Sequence, residues 1–468
     1  MWKGRLISLS SGAIMLSIIS NTLGFFTSLA KTSYQTSWRK PLLSNRGFQL
    51  RAGSSDSTVN EGGGNFDFDL EIDRSDTMSM KWNRYKDQDV IPLWVADMDF
   101  ASPRCIIEAL KARVEHGVFG YTVPDRQLKQ AICDYYERTH GWGGVSTDWV
   151  YFLPGLVQGL NLACRAMEDP KLGRKSDGPV EVLVPTPIYP PFLSAPDHAG
   201  QSTIQVPLVR APVEGCNFED WTFDWKALEQ AVTPNTRLLL LCNPHNPVGR
   251  VFTRTELQRL ADFCSRHDII VCSDEIHSGL IFDSSATPHI PFASLGGEIA
   301  DRTITLNAPS KTFNVPSLGV AYAIIPNKQL RFAYMRAGRG LVTQMPALGY
   351  TGLQAAYTSP RAEAWRRALV RYLDGNRELV YRAVAERMAP EVTVRPMAAT
   401  YLAWLDVSAL GLGDPWGYFN RWGVGLSSGA DFGEAGRGCV RLNFGLPRRR
   451  LEEGLERMAA AVGARRRE

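Results

Sequence analysis

The stretch Thr236-Arg-Leu-Leu-Leu-Leu-Cys-Asn-Pro-His-Asn-Pro-Val-Gly249 changes character halfway. Its first half is a continuous apolar run without alternation, the pattern of a strand covered on both faces. Its second half is a turn in which two prolines and a glycine fix the chain and present Asn246 as a rigid amide. Taken alone, this is any tight loop after a buried strand. Downstream, Thr255–His267 has the spacing of an amphipathic helix and Asp268–Cys272 reads as the next strand. Upstream, Pro103–His116 and Gln127–Arg138 read as helices, and Glu181–Val184 as a short buried strand ending at Pro185. Thr303–Leu306 and Gly319–Ile325 continue the alternation. Strand, helix, strand in succession predicts an α/β fold with a mainly parallel sheet. The last third opens with helices at Arg361–Glu386. Strands at Tyr401–Leu405 and Cys439–Asn443 come next, then a helix at Arg448–Val462.

Open parallel sheets bind ligands beyond the carboxyl ends of their strands. Three polar segments stand in such places: Asn243–Gly249, Ser273–His277 and Asn307–Asn314. In the third, Lys311 lies among small and polar residues. A lysine that attacks a carbonyl must be neutral, and a desolvated pocket lowers its pKa; alone, Lys311 reads as a solvated surface residue. Asp274 closes the strand before it. It suits an acidic partner for a protonated pyridine nitrogen, or equally a helix N-cap. Pro154-Gly-Leu-Val157 stands between a strand and a helix, where open amide N–H groups bind phosphate, although one glycine is weak support.

The 468 residues suffice for two domains, with 44% apolar and 21% charged residues, a globular composition. The net charge of +4 is unevenly placed. Residues 1–55 carry seven cations and no acid, which leaves 45 basic against 48 acidic residues beyond them. The body therefore offers no electrostatic case for nucleic acid. Eight scattered cysteines form no C-x-x-C pair, so buried free thiols are expected rather than a zinc or redox motif. At the N-terminus, Lys3 and Arg5 precede an apolar run beginning Gly12-Ala-Ile-Met-Leu, broken at Ser20-Asn21-Thr22. It resembles a signal-peptide core and is too interrupted for a good membrane span. A basic, Ser/Thr-rich stretch comes after it, as in an organellar transit peptide. Signal-like then transit-like is the order of a bipartite plastid presequence. A mitochondrial presequence, a secretory signal and a membrane anchor are the other readings. Residues 53–64 read as a flexible linker.

Each chemical motif is ambiguous alone, but their order and spacing together are not. N-P-x-N-P-x-G, S-D-E and S-K in this order resemble the class I/II aminotransferase family, pyridoxal-phosphate enzymes of fold type I. Pro92-Leu-Trp-Val-Ala-Asp-Met-Asp-Phe100, Gly117-Val-Phe-Gly-Tyr-Thr122 and Asn307-Ala-Pro-Ser-Lys-Thr-Phe-Asn314 are similar to its cystathionine β-lyase (C–S lyase) subgroup, including the maltose-regulon modulator type. The resemblance runs from about Phe66 to Val462. With a presequence and linker over 1–60 read from composition, it implies a segment, 61–105, that joins the small domain. A large cofactor domain would span 106–344, and a small α/β C-terminal domain 345–468. It implies pyridoxal 5'-phosphate held by Lys311 as a Schiff base, with Asp274 on the ring nitrogen and Asn246 and His277 at the 3′-oxygen. Tyr189 would stack on the ring; Leu156, Val157 and Ser310 would hold the phosphate. Arg441 would clamp the substrate carboxylate, beside Ala96 and a Tyr121 delivered by the partner of a homodimer. Without the family, Tyr189 reads as a core aromatic and Arg441 as a surface strand residue. The implied reaction is α,β-elimination of L-cystathionine or a related cysteine S-conjugate. Its rivals are transamination and, from another class, a regulatory protein-binding role. One departure stands out. Aspartate aminotransferases carry a phosphate-gripping arginine near the position of Gly319, and no arginine occurs here between Lys311 and Arg331.

Overall fold

In the computed structural model, which describes residues 66–173, 178–213 and 219–468, seven strands form the central sheet. They are β1 (Val150–Leu153), β2 (Glu181–Thr186), β3 (Ser202–Pro207), β4 (Thr236–Cys242), β5 (Ile270–Asp274), β6 (Thr303–Asn307) and β7 (Ala321–Ile324). Their spatial order is β1-β7-β6-β5-β4-β2-β3. β6, β5, β4, β2 and β3 pair in parallel, while β7 runs antiparallel to both of its neighbours. Every residue of β4 is buried. Leu238 and Leu240 pack on one face with Leu160, Val182 and Ile304; Leu239 and Leu241 pack on the other with Leu257, Leu260 and Phe263. The unbroken apolar run is thus explained by two helical layers, each buried leucine contributing on the order of 2 kcal/mol.

Several strand boundaries differ from the sequence expectation, and three have a visible cause. β5 begins at Ile270 because Asp268 takes a left-handed φ of 54° just past the helix Arg254–Arg266. β2 continues through Pro185 to Thr186, pairing there with β3 alone, so the missing proline N–H faces no ladder partner on β4. β7 starts at Ala321, since Gly319 closes a short 3₁₀ turn with φ 59°.

A second sheet, of four strands, contains β8 (Thr393–Val394), β9 (Leu402–Asp406), β10 (Ser427–Ser428) and β11 (Cys439–Asn443), in the order β8-β9-β11-β10. Ile91–Pro92 pairs in parallel with Val424–Gly425. Residues 93–100 then run as a strap beside the end of β11. Asn443 Nδ2 donates to the Val95 and Asp97 carbonyls at 2.6 and 2.8 Å. Asn314 donates to the Met98 and Phe100 carbonyls and accepts from the Met98 N–H. Two asparagines more than a hundred residues apart thereby fix one segment to both sheets.

The seven described cysteines are free; Cys105 and Cys439 are only partly buried, and the other five are buried as expected. No helix among the described residues is long and apolar enough to cross a membrane. The presequence and linker expected over residues 1–60 lie outside the described residues.

Candidate active site

Parallel strands end at one edge of a sheet, so the loops that leave them meet there. Pro154-Gly155 leaves β1, Pro187–Tyr189 leaves β2, Asn243–Gly249 leaves β4, the turn at Ile276–Gly279 leaves β5 and Ala308–Asn314 leaves β6. They enclose a cavity of about 230 Å³ whose lining includes Leu156, Tyr189, Asn246, Asp274, Lys311 and Arg441. Val157, His277, Ser310 and Ala96 line it too. A larger cavity, of about 510 Å³, is lined by Arg74, Trp82 and Asp99. Of its lining charges, Arg74 and Asp99 are already paired with each other, and Asp99 also with Lys81, so chemistry rather than size marks the smaller one.

Lys311 lies in a tight turn in which the Phe313 N–H donates to the Pro309 carbonyl and the Val315 N–H to that of Ser310. The turn after β5 packs on it so closely that a Cβ at Gly279 would stand 2.5 Å from Thr312 Oγ1. The Lys311 Nζ donates to the Ala96 carbonyl at 2.7 Å. Burial, with Arg441 nearby, lowers its pKa to about 8, against the smaller raising effects of Asp97 and Asp274. Asp274 is buried, and desolvation pushes its carboxyl up to about 7, although the Ile276 N–H donates to Oδ1 at 3.0 Å. A turn and not a helix comes directly after β5, so Asp274 is not an N-cap. The next residue, Glu275, is satisfied elsewhere, by the Phe292 N–H, Ser273 and His289.

Arg441, on β11, is buried. Its Nη1 donates to Asn246 Oδ1 at 3.1 Å, and its Nη2 to the Trp94 carbonyl at 2.9 Å and to Ser427. Burial lowers even this guanidinium to about 10. The Asn246 bond ties the loop after β4 to the second sheet and leaves the amide NH₂ of Asn246 for a ligand. His277 is buried and, through desolvation and then the Lys311 and Arg441 charges, is lowered to about 3, hence neutral. Tyr189 is 36% exposed and lines the cavity, which sets aside its reading as a core aromatic. Helix Leu156–Ala166 starts at Gly155, which is extended and supplies no side-chain cap, so the first-turn amides stay open. Tyr121 is not brought into the cavity by its own chain and is fully exposed.

Pyridoxal phosphate suits what the site lacks. A buried carboxylate at the end of β5 needs a cation, and a protonated pyridine nitrogen is one. His277 Nδ1 and Arg441 Nε are buried without a hydrogen-bond partner. A neutral imidazole and an amide NH₂ suit a ring oxygen, an unpartnered guanidinium Nε–H suits a carboxylate, and open helix amides suit a phosphate. Sequence reasoning passed over Tyr401, whose hydroxyl reaches the Ala96 carbonyl, and over the asparagines that hold the strap. Asn314 and Asn443 stand inside quoted motifs, but nothing local marks them as clamps.

The profile of the family Aminotransferase class I and II matches residues 88–458. The chain is 36% identical over 405 residues to the cystathionine beta-lyase PatB of Bacillus subtilis (strain 168), covering 84% of this chain and 99% of that one. The crystal structure of OvoB superposes with a TM-score of 0.78 at 41% identity, covering 85% of this chain and 99% of the other. The PLP-bound C-S lyase of Staphylococcus hominis superposes at 0.76 with 30% identity, covering 85% and 98%.

Proposed function

Because the chain belongs to the aminotransferase class I and II family, we propose that it is a pyridoxal-phosphate-dependent carbon–sulfur β-lyase. It cleaves L-cystathionine or a related cysteine S-conjugate, with water, to a thiol, pyruvate and ammonia. The similarity to PatB over 99% of that relative's length supports this reading. The observation that carries it is the meeting of Lys311, Asp274, Asn246 and Arg441 around one cavity.

When bound, pyridoxal phosphate supplies an electron sink for the charge left on the substrate α-carbon. Asp274 keeps a proton on the ring nitrogen. Asn246 would donate to the 3′-oxygen while accepting from Arg441, a bond that holds the ring and carboxylate sites in one register. His277, as a neutral imidazole, serves the same oxygen. Tyr189 would lie against the ring, and the Leu156 and Val157 amides with the Ser310 hydroxyl would hold the phosphate. Arg441 receives the substrate carboxylate, with its unpartnered Nε–H turned to it. Lys311 anchors the cofactor and, once its amine is free and neutral, takes the α-proton. Ala96 borders the substrate. The β-sulfur then leaves as a thiolate, protonated by Tyr121 of a second copy. Support for that dimer comes from the segment around Tyr121, where Val118, Phe119 and Val123 are also exposed. The basic, acid-free N-terminus supports organellar import of the chain, to a plastid. A fluorescent fusion to residues 1–60 that stayed in the cytosol would refute that.

The reaction is tested by loading the chain with pyridoxal phosphate and giving it L-cystathionine while pyruvate and free thiol are measured together. Equal amounts of both are expected. Conversion of the cofactor to its pyridoxamine form without pyruvate would instead make the chain an aminotransferase.

A further inference from the structure

We propose that Tyr401 is a positioning residue for Lys311, acting through the Ala96 carbonyl that the two side chains share. The inference rests on the reading of Lys311 given above. The Ala96 oxygen accepts from Lys311 Nζ at 2.7 Å and from the Tyr401 hydroxyl at 2.8 Å, which uses both of its lone pairs. The carbonyl cannot swing away. Asn443 holds the carbonyls on either side of it, those of Val95 and Asp97. The phenol is 1% exposed, and burial raises its pKa, so it stays a donor throughout the working range of an enzyme. The backbone also bends to place it. Thr400 takes a φ of 77°, an uncommon conformation for a β-branched residue. Its N–H is held by the Leu280 carbonyl, and its Oγ1 accepts from the Leu402 N–H. A left-handed residue just before β9 is thus what turns Tyr401 toward the strap.

The consequence concerns the proton on Lys311. A carbonyl that accepted from the lysine alone would favour the ammonium form, because hydrogen bonding to a charged form stabilises it. A second donor on the same oxygen withdraws part of that acceptor strength. Tyr401 therefore gives the amine a fixed seat without trapping its proton. The other charged and titratable groups facing Lys311 are Asp274 at the end of β5, His277 in the turn beyond it, Arg441 on β11 and Asp97 on the strap. Tyr401→Phe changes none of them.

The test uses the cofactor-free chain. Lys311 is labelled with limiting acetic anhydride from pH 6 to 10, and its acetylation is read by mass spectrometry in wild type and Tyr401→Phe. The variant's labelling midpoint is expected to rise by about half a pH unit, which is about threefold less neutral amine at pH 7. In the loaded enzyme, kcat at pH 7 is expected to fall by a similar factor with little change in KM, and to recover near pH 9. An unchanged midpoint in a folded variant would overturn the proposal, even if activity fell. Labelling needs no turnover, so failure of the chain to cleave L-cystathionine would sink the lyase reading and leave this test standing.

Discussion

Asp274→Asn exchanges a buried carboxylate for an amide of nearly the same shape, and it separates the stability of the cofactor-free chain from its activity. The Asp274 carboxyl is raised from 3.8 to about 7, chiefly by burial. A group whose folded-state value is raised contributes its full stability below the unfolded value and loses it as pH climbs through the folded one. The window here is about pH 4 to 7. Linkage gives a cost to wild type of about 2 kcal/mol at pH 5 and about 4 kcal/mol at pH 8, one pKa unit being worth about 1.4 kcal/mol. Asparagine does not titrate and carries no such cost. Urea denaturation of both cofactor-free chains should therefore show the variant more stable at pH 8, with an advantage about 2 kcal/mol smaller at pH 5. Loading works the other way. The wild-type chain should gain more stability from pyridoxal phosphate than the variant does, and the variant's β-elimination should fall by roughly a thousandfold. A variant no more stable than wild type at pH 8, or equally favoured at both pH values, would refute the view that Asp274 is a buried charge waiting for a cation.

The same geometry predicts three other outcomes. The rate at which cofactor-free enzyme takes up pyridoxal phosphate should rise with pH to a midpoint near 8, the value to which burial lowers Lys311; a rate still climbing at pH 10 would mean an ordinary solvated lysine. Arg441→Lys keeps the charge and loses the fork, so kcat/KM should fall about 100-fold, mostly through KM, and an unchanged KM would remove Arg441 from the carboxylate. Leu240→Ala, at the fully buried centre of β4, should cost about 2–5 kcal/mol in denaturation without changing KM.

Much of this was legible in the chain because parallel sheets impose a simple rule. Apolar runs such as Thr236–Cys242 mark strands buried on both faces, and the residues just beyond each run stand at the ligand edge. Asn246, Asp274 and Lys311 all lie at or just past the ends of such runs, so one sheet edge gathers them. Strand direction was not legible: β7 reads like its neighbours in composition, yet it runs against them. Boundaries shifted where a single backbone torsion decided, as at Asp268. The strap was the least visible part. Its bonds to Asn314, Tyr401, Asn443 and Arg441 span more than 200 residues, and no local pattern encodes a carbonyl as a partner. Tyr401 reads as the first residue of an apolar strand, and its function comes from the left-handed Thr400 before it.

The central claim is that this cavity holds its cofactor on Lys311. It is tested most directly by loading the chain with pyridoxal phosphate, reducing it with borohydride and mapping the labelled peptide. A pyridoxyl group is expected on the peptide containing Lys311, and none on that peptide in Lys311→Ala. Label on another lysine, or none in the wild-type chain, would contradict it.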